Sequence, residues 1–313
     1  MALVGNPVIT VVICTRDRAA ILPRCLDGLV RQTLPFDRFE VVLVANAASD
    51  DTIAVAESHI AALPNLRVIA EPVLGLSRAR NTGLATATTP LVAFVDDDAV
   101  ARPDWLDRFL AAFDQAERPH VVGGELEPVW EVEPPDWLQG PLMRYYAVCL
   151  GWSTTSRFLT AGEWLCESNC AYDAEALRKA GGFPEYLGRR GPVMLSGEHF
   201  VNEIIAANGG RQFFAVDAIV DHYIPAARMT TEWLARRVFW GGIEASIRDR
   251  KRAELFDGEV AAQRLSMPET AADWDALFDP HPGPDLRNKL RHAFSVGYEL
   301  GQSGVLGPLL TMA

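Results

Sequence analysis

Lysine is scarce in this sequence, positive charge has no surplus, and long apolar runs are missing; each shortage closes a class of function. Only three of the 29 basic residues are lysines (Lys179, Lys251 and Lys289), and 41 acidic residues leave a formal net charge of −12 over 313 residues. So acidic a chain lacks the cation clusters that nucleic acid or an anionic lipid surface requires, and no nucleic-acid partner is expected. No stretch approaches the roughly 18 apolar residues of a membrane span, and nothing basic precedes the apolar run Val8 to Cys14. A cytoplasmic protein with no transmembrane segment is expected. The five cysteines (Cys14, Cys25, Cys149, Cys166, Cys170) include no CxxC pair, which favours buried, reduced thiols over disulfides or zinc. Two phosphate-binding signatures are also missing: the GxxxxGK[ST] loop of nucleoside triphosphatases and a GxGxxG turn after the first strand. No internal repeat is present.

What is there reads as α/β. With 49% apolar and 22% charged residues the composition is that of a globular protein. The length suits one large domain with appendages or two packed domains. Val8 to Cys14, Val41 to Val44, Leu66 to Ala70 and Leu91 to Val95 are short, almost purely apolar runs, the pattern of strands covered on both faces. Helical spacing lies between them, over about Ala19 to Arg31, Asp51 to Leu63 and Ser77 to Ala85. Repeated strand, helix, strand units predict a doubly wound parallel sheet. A helix is expected to start with Pro103 at its first position, and a strand at Val121 to Leu126. Pro128 to Pro141 has no period and reads as a seam or mobile loop. Further elements are expected at Asn169 to Tyr172, Ala174 to Ala180, Glu198 to Ala207, Phe213 to Val216 and Thr231 to about Arg252. The tail beyond, with its prolines and spaced glycines, has no clear pattern.

Ligands of such sheets bind beyond the carboxyl ends of the strands, which directs attention to Thr15 to Arg18, Asn46 to Asp50 and Asp96 to Asp98. Asp96-Asp97-Asp98 is the strongest signal. Three successive carboxylates repel one another unless a cation or several donors compensate. A divalent ion held by one carboxylate and substrate phosphates is a simple solution, and it suits Mg2+ or Mn2+ better than zinc. An acidic turn leading into the next helix is the structural alternative. Arg16 and Arg18, and the group Arg78, Arg80, Asn81, offer cations that suit a diphosphate or are merely solvated.

The segments VVICTRDRAAILPRCLDGLVRQ, VVLVANAASDDT, GLSRARNTGLATATTPLVAFVDDDAV, the spacing from Leu187 to His199 and the late VDHYIP resemble, in that order, glycosyltransferase family 2 enzymes of the GT-A fold. The likeness spans roughly residues 8 to 245. It implies a Rossmann-like, mixed, mainly parallel sheet flanked by helices, and inverting transfer of a sugar from a nucleotide diphosphate sugar with a bound divalent cation. Residues 1–125 would form the nucleotide-sugar-binding half and 126–224 the acceptor-binding half of the same domain, with 225–313 a helical C-terminal extension that covers the site or mediates homodimerisation.

The resemblance also implies roles. Thr15, Arg16 and Arg18 would meet the nucleotide, and Asn46 and Asp50 would lie in the loop that reads the base. The aspartate expected before Asn46 is replaced by Ala45, which removes an acceptor for a base N–H and leaves the expected UDP specificity open. Arg80 and Asn81 would support the nucleotide or its diphosphate. Asp96 would lie nearest the ribose, with Asp97 also on the donor side. Asp98 would bind the metal, joined by His222, for which a packed core histidine is the alternative. Arg228 would close over the diphosphate. The helix starting at Glu198 should carry the base that takes the acceptor's proton. Where the family commonly has two carboxylates this chain has Glu198-His199, so either residue is the base, Glu198 being preferred, or the pair has ceased to catalyse. Trp130, Trp137, Trp152 and Trp164 are candidates for stacking on a sugar or aglycone; Trp164, with nearby Asn169, is the chosen acceptor-side pair. The acceptor itself is not identified by the sequence. Two rivals stay open: a nucleotide-sugar or glycan-binding protein without catalysis, and a sugar-1-phosphate nucleotidyltransferase, although the latter should carry a Gly-rich, Lys-containing loop after its first strand.

Overall fold

Four apolar runs pair side by side because each strand is flanked by residues that must leave water on both faces. In a computed structural model, which describes residues 6–146, 153–160, 163–255 and 283–303, they form β1 (Ile9–Thr15), β2 (Phe39–Asn46), β3 (Leu66–Glu71) and β4 (Leu91–Val95). These run parallel in the order β3-β2-β1-β4, with Val12 in register with Val42 on one side and Phe94 on the other. Alternation along the strands splits the core in two. Val11, Ile13, Val41 and Leu43 pack with Leu22, Leu26 and Leu29 of α1 (Leu22–Val30). Val12, Val42 and Val44 face the other way, onto Ala79 and Leu84 of α3 (Leu76–Thr86). The second parallel crossover runs through α2 (Thr52–Ser58).

Beyond β4 the sheet becomes mixed. β8 (Asn169–Asp173) is antiparallel to both β4 and β6 (Val121–Trp130), and the long β11 (Gln212–Ile224) runs parallel to β6 with a register shift between Ala215 and Val220. The edge is completed by β5 (Ala99–Ala101), antiparallel to β11, while β7 (Arg157–Phe158) pairs with the other end of β11. A separate ribbon joins β9 (Arg189–Arg190) to β10 (Val193–Met194). The remaining helices are α4 (Trp105–Phe113), α5 (Ala174–Lys179), α6 (Glu198–Ala207), α7 (Thr231–Leu255) and α8 (Pro284–Gln302).

Several expectations need correction. Pro103 precedes α4 instead of opening it; the residue at the N-cap is Asp104. β6 and β11 outrun the expected strands because each gains a partner along its far half: Leu126 to Trp130 pair with Val220 to Ile224. The line drawn at residue 125 therefore falls inside a strand. Pro128 to Pro141 is neither a seam nor a free loop along its length: it finishes β6 and then enters a short 3-10 helix, Gly140–Tyr146. Its aperiodic apolar residues form a socket, in which Trp130, Trp137, Leu138 and Leu142 pack with Leu234 and Val238 of α7 and Leu290 and Phe294 of α8. Trp152 and Cys149 lie outside the described residues. The glycines of the tail mark a close helix crossing: a Cβ at Gly297 would overlap the carbonyl oxygen of Phe239, and one at Gly242 that of Phe294.

Candidate active site

The strand order reverses direction at β1 and β4, and the crevice beyond their carboxyl ends is where such sheets take ligands. A cleft of about 320 Å3 opens there, lined by Thr15, Arg16, Arg18, Asn46, Arg80, Asp96, Asp97, Asp98, Trp164, His199, His222 and Arg228 among others. Residues scattered over more than two hundred positions thus share one void.

The loops after β1 and β2 are stapled to each other. Asp17 accepts from the Ser49 amide and hydroxyl, Asp50 from the Ala19 amide and from Thr52, and the Arg18 amide donates to Thr52 Oγ1. The Ser49 amide above all holds the Asp17 carboxyl below its ordinary value, and Thr52 does the same for Asp50. Asp17 and Ala47 have φ of 51° and 49°, a left-handed conformation that costs a non-glycine residue about 1–2 kcal/mol and that these cross-bonds maintain. Asp50, expected at the base, serves instead as this staple and does not line the cleft. Asn46 lines it, but its amide donates to Glu71 and Val73 carbonyls and accepts from the Gly75 amide, fixing the turn before α3.

Asp96, Asp97 and Asp98 follow β4 directly. Their chain then turns into β5, and the β5 pairing with β11 sets His222 opposite Ala99, one residue past Asp98. His222 Nε2 lies 3.4 Å from Asp98 Oδ1, and Arg228 Nη2 lies 3.0 Å from Asp98 Oδ2. Burial opposes ionisation of Asp98, but His222, Arg228 and Arg18 outweigh it and hold the carboxyl well below its usual range. Asp97 goes the other way: burial first, then the Asp98 charge, push it up to about 7. Asp96 accepts from the Ser168 hydroxyl and meets Arg80 at 3.5 Å, while the other edge of the Arg80 guanidinium pairs with the buried Glu167. Arg80 thus orients a carboxylate of the cleft. Asn81 lies off the cleft, bonded to both backbone groups of Phe183.

Asp98 and His222 are the two side chains placed to hold a cation at this point. No group of three His, Cys, Asp or Glu side chains arranged for a metal ion occurs among the described residues, so protein donors would be two, with phosphate oxygens completing the shell. His222 is buried and its Nδ1 has no hydrogen-bond partner. Without a cation the carboxylate favours a proton on Nε2; a cation taking that proton's place would leave Nδ1 to carry it, so that Nε2 could present its lone pair. The pair fits.

On the opposite side, α6 begins at Glu198; the Glu198 side chain lies outside the description. The His199 ring lines the cleft, edge-on to Trp164 with centroids 4.8 Å apart. Asn169, chosen with Trp164 for the acceptor, is wholly buried: it accepts from Trp105 Nε1 and donates to the carbonyls of Glu125 and Ala218. It holds β8 to its neighbours and does not reach the cleft.

A sequence profile of glycosyl transferase family 2 matches residues 10–177, more than half of the chain. The chain belongs to glycosyl transferase family 2. This glycosyltransferase is 23% identical over 257 residues to the glucosyl-dolichyl phosphate glucuronosyltransferase of Haloferax volcanii, covering 81% of each chain. Among solved structures it resembles a mannosyltransferase from Pyrobaculum calidifontis in complex with GDP-Man and Mn2+ (TM-score 0.62, 18% identity, 99% of this chain and 81% of that one). It also resembles TarS 1-349 of S. aureus in complex with UDP (TM-score 0.56, 18% identity, 95% and 91%). At such identity the structures show the fold, and the fold is the GT-A sheet that the sequence motifs implied.

Sequence reading missed part of the glycosyltransferase's cleft. Arg144, Ser168, Arg189, Ser196 and Arg237 line it as well. Arg189 and Ser196 lie within the Leu187 to His199 segment that was read only for its last two residues, so the paired arginines before Gly191 were an available signal. Arg144 and Arg237 had none, since they reach the cleft through the packing of the 3-10 helix against α7. The four described cysteines are free; burial raises the thiol of Cys14, on the cleft wall, to about 12. No described helix is long and apolar enough to cross a membrane.

Proposed function

We propose that the cleft transfers a sugar with inversion from a nucleotide diphosphate sugar, a UDP-sugar being the expected donor, to a hydroxyl of an acceptor. The observation that carries this reading is the meeting of Asp98, His222 and Arg228 at the switch point of the sheet. Asp98 and His222 would hold Mg2+ or Mn2+, which when bound offsets charge on the diphosphate. Support comes from the relatives: one solved structure is described with GDP-Man and Mn2+, another with UDP. The Haloferax enzyme is named for a glucosyl-dolichyl phosphate, so a phosphate-bearing acceptor is consistent with the family.

In the reaction the acceptor oxygen bonds to the anomeric carbon as the bond from that carbon to the diphosphate breaks. The hydroxyl proton passes to the base at the start of α6, and the nucleoside diphosphate leaves. Arg18 and Arg228 stand near the developing negative charge. Glu198 is the proposed base. His199 is the second reading, favoured by its place on the cleft wall against Trp164.

Titration calorimetry with UDP-, dTDP- and GDP-sugars in Mn2+ or Mg2+ tests the donor assignment; failure to bind or hydrolyse any of them would refute it. With an active donor in hand, Glu198→Gln should keep donor affinity and lose transfer by about 10²- to 10⁴-fold. Transfer retained there but lost in His199→Ala moves the base to His199.

A further inference from the structure

Seven arginines line the cleft (Arg16, Arg18, Arg80, Arg144, Arg189, Arg228 and Arg237) against three aspartates. A diphosphate accompanied by a divalent cation adds no net negative charge, so a cationic surplus persists around a bound donor. Within that surplus Arg189 differs from Arg80, Arg228, Arg16 and Arg237. Arg80 pairs with Glu167 and Asp96, Arg228 with Asp98, and Arg16 with Asp17. Arg237 donates to the Met194 carbonyl and the Ser196 hydroxyl. The Arg189 side chain makes no hydrogen bond or ion pair among the described residues. Its side chain is exposed and lines the void. The protein crowded around it, and then the charges of Arg228 and Arg237, lower its guanidinium to about 10, with Asp96 and Asp98 acting the other way.

Its position is nevertheless fixed. Arg189 begins the β9–β10 ribbon, whose turn carries Gly191 at φ 52°. On one side Ser77 of α3 donates to the Leu187 carbonyl at 2.9 Å, and Gly188 lies so close to Ser77 that a Cβ would not fit. On the other side Arg236 of α7 donates to the Pro192 carbonyl at 2.9 Å. A ribbon clamped between two helices holds an unpaired guanidinium toward the site, an arrangement that lowers the ordering cost of a charge-assisted contact.

We propose that Arg189, supported by Arg237, binds a second oxyanion distinct from the donor diphosphate: a phosphate or carboxylate carried by the acceptor or by the transferred sugar. The inference rests on the cleft being the transfer site proposed above, and it names the substrate class that site selects.

The test is calorimetry on the full chain, with and without saturating UDP and Mn2+, using phenyl phosphate, glucuronate and neutral phenyl glucoside as probes. UDP-glucuronate and UDP-glucose are compared in parallel. Phenyl phosphate or glucuronate should bind the UDP-loaded protein better than the glucoside, and Arg189→Gln should weaken that binding on the order of tenfold or more. UDP affinity should stay within about twofold. Arg189→Lys, which keeps the charge, should retain most of the binding and controls for folding. An anion on the sugar predicts instead that Arg189→Gln abolishes a preference for UDP-glucuronate over UDP-glucose. Equal binding of charged and neutral probes together with no UDP-glucuronate preference would overturn the proposal. So would loss of UDP affinity in Arg189→Gln, which would assign the residue to the donor. If no nucleotide binds the wild type, the transfer reading fails by itself, while the titration without nucleotide still reports whether Arg189 binds an oxyanion.

Discussion

Along the wall built from the ends of β1 and β2, polar side chains direct their hydrogen bonds at one another: Asp17 to Ser49, Asp50 to Thr52 and Ala19, Asn46 to Gly75. Along the wall built from β9, β10 and α7 the arrangement is reversed. Bonds there run from α7 behind the wall to the backbone of the ribbon, and a guanidinium is left facing the void. The first wall is rigid before any ligand arrives, which suits the recognition of one constant group. The second presents charge that a ligand would complete, which suits a partner that differs from enzyme to enzyme. Variants that separate donor affinity from turnover are the means of breaking this contrast.

The largest effect is expected beside the first wall, where the chain leaves β4. Asp98→Asn leaves Arg228 without its counter-charge and His222 without its carboxylate, and should weaken Mn2+-dependent nucleotide binding by about 100-fold or more. Calorimetry with and without the metal checks it. Unchanged affinity would mean that Asp98 serves the fold alone, and the donor wall would lose its chemical centre.

The next effect belongs to the second wall and should appear in turnover. Glu244 of α7 is buried and accepts from both the amide and the hydroxyl of Ser196, at 3.0 and 2.8 Å, just before α6 begins. Arg248 lies 3.7 Å away on its other oxygen. Glu244→Gln should loosen the start of α6 and reduce kcat by roughly 10- to 100-fold, with donor affinity within about twofold. Equal losses in kcat and in donor affinity would show that the two walls move as one body, and the distinction between them would collapse.

How legible each wall was follows from the same difference. β1 to β4 and their loops were readable because apolar strand, polar loop and helix alternate locally, so Asp96 to Asp98 and Arg16 to Arg18 announced themselves by position. The motif order carried the fold. What could not be read was pairing at a distance. β5 is three residues long and exists because β11 passes beside it, yet this pairing is what brings His222 to Asp98. Asn169, Asn81 and Asp50 looked like ligand residues by type and position, but their polar atoms are taken up in holding strands and turns together, a use that composition does not distinguish from binding. The spaced glycines of the tail gave no periodicity because they record a crossing with α7, and only the partner helix explains them.

That crossing gives a third prediction, on stability. Gly297→Ala places a methyl group on the Phe239 carbonyl, and overpacking of this kind costs about 1–3 kcal/mol. Since α7 carries Arg236, Arg237 and Glu244, loosening α8 should reach the second wall first. Denaturant titration should show the loss, while nucleotide affinity at low temperature should stay near wild type. A matching fall in nucleotide affinity would tie both walls to the C-terminal helices.

The smallest effect concerns the approach to Trp164. Arg157 and Glu163 form a two-pronged ion pair, with Nη1 to Oε2 at 2.7 Å, and Glu163 also accepts from the Thr160 amide. The Arg157 hydrogen bonds, more than any other influence, hold the Glu163 carboxyl at about 2. A carboxyl depressed in the folded state stabilises above its unfolded value, here 4.5, and that contribution disappears as pH falls through about 2. Because the pair is partly solvated its worth is modest: Glu163→Gln should lower the melting temperature at pH 7 by about 2 °C or less, with the gap to wild type closing between pH 4.5 and 2. A gap that persists under acid would show that the amide disturbs packing beside Trp164, and that this approach to the cleft is held by shape and not by charge.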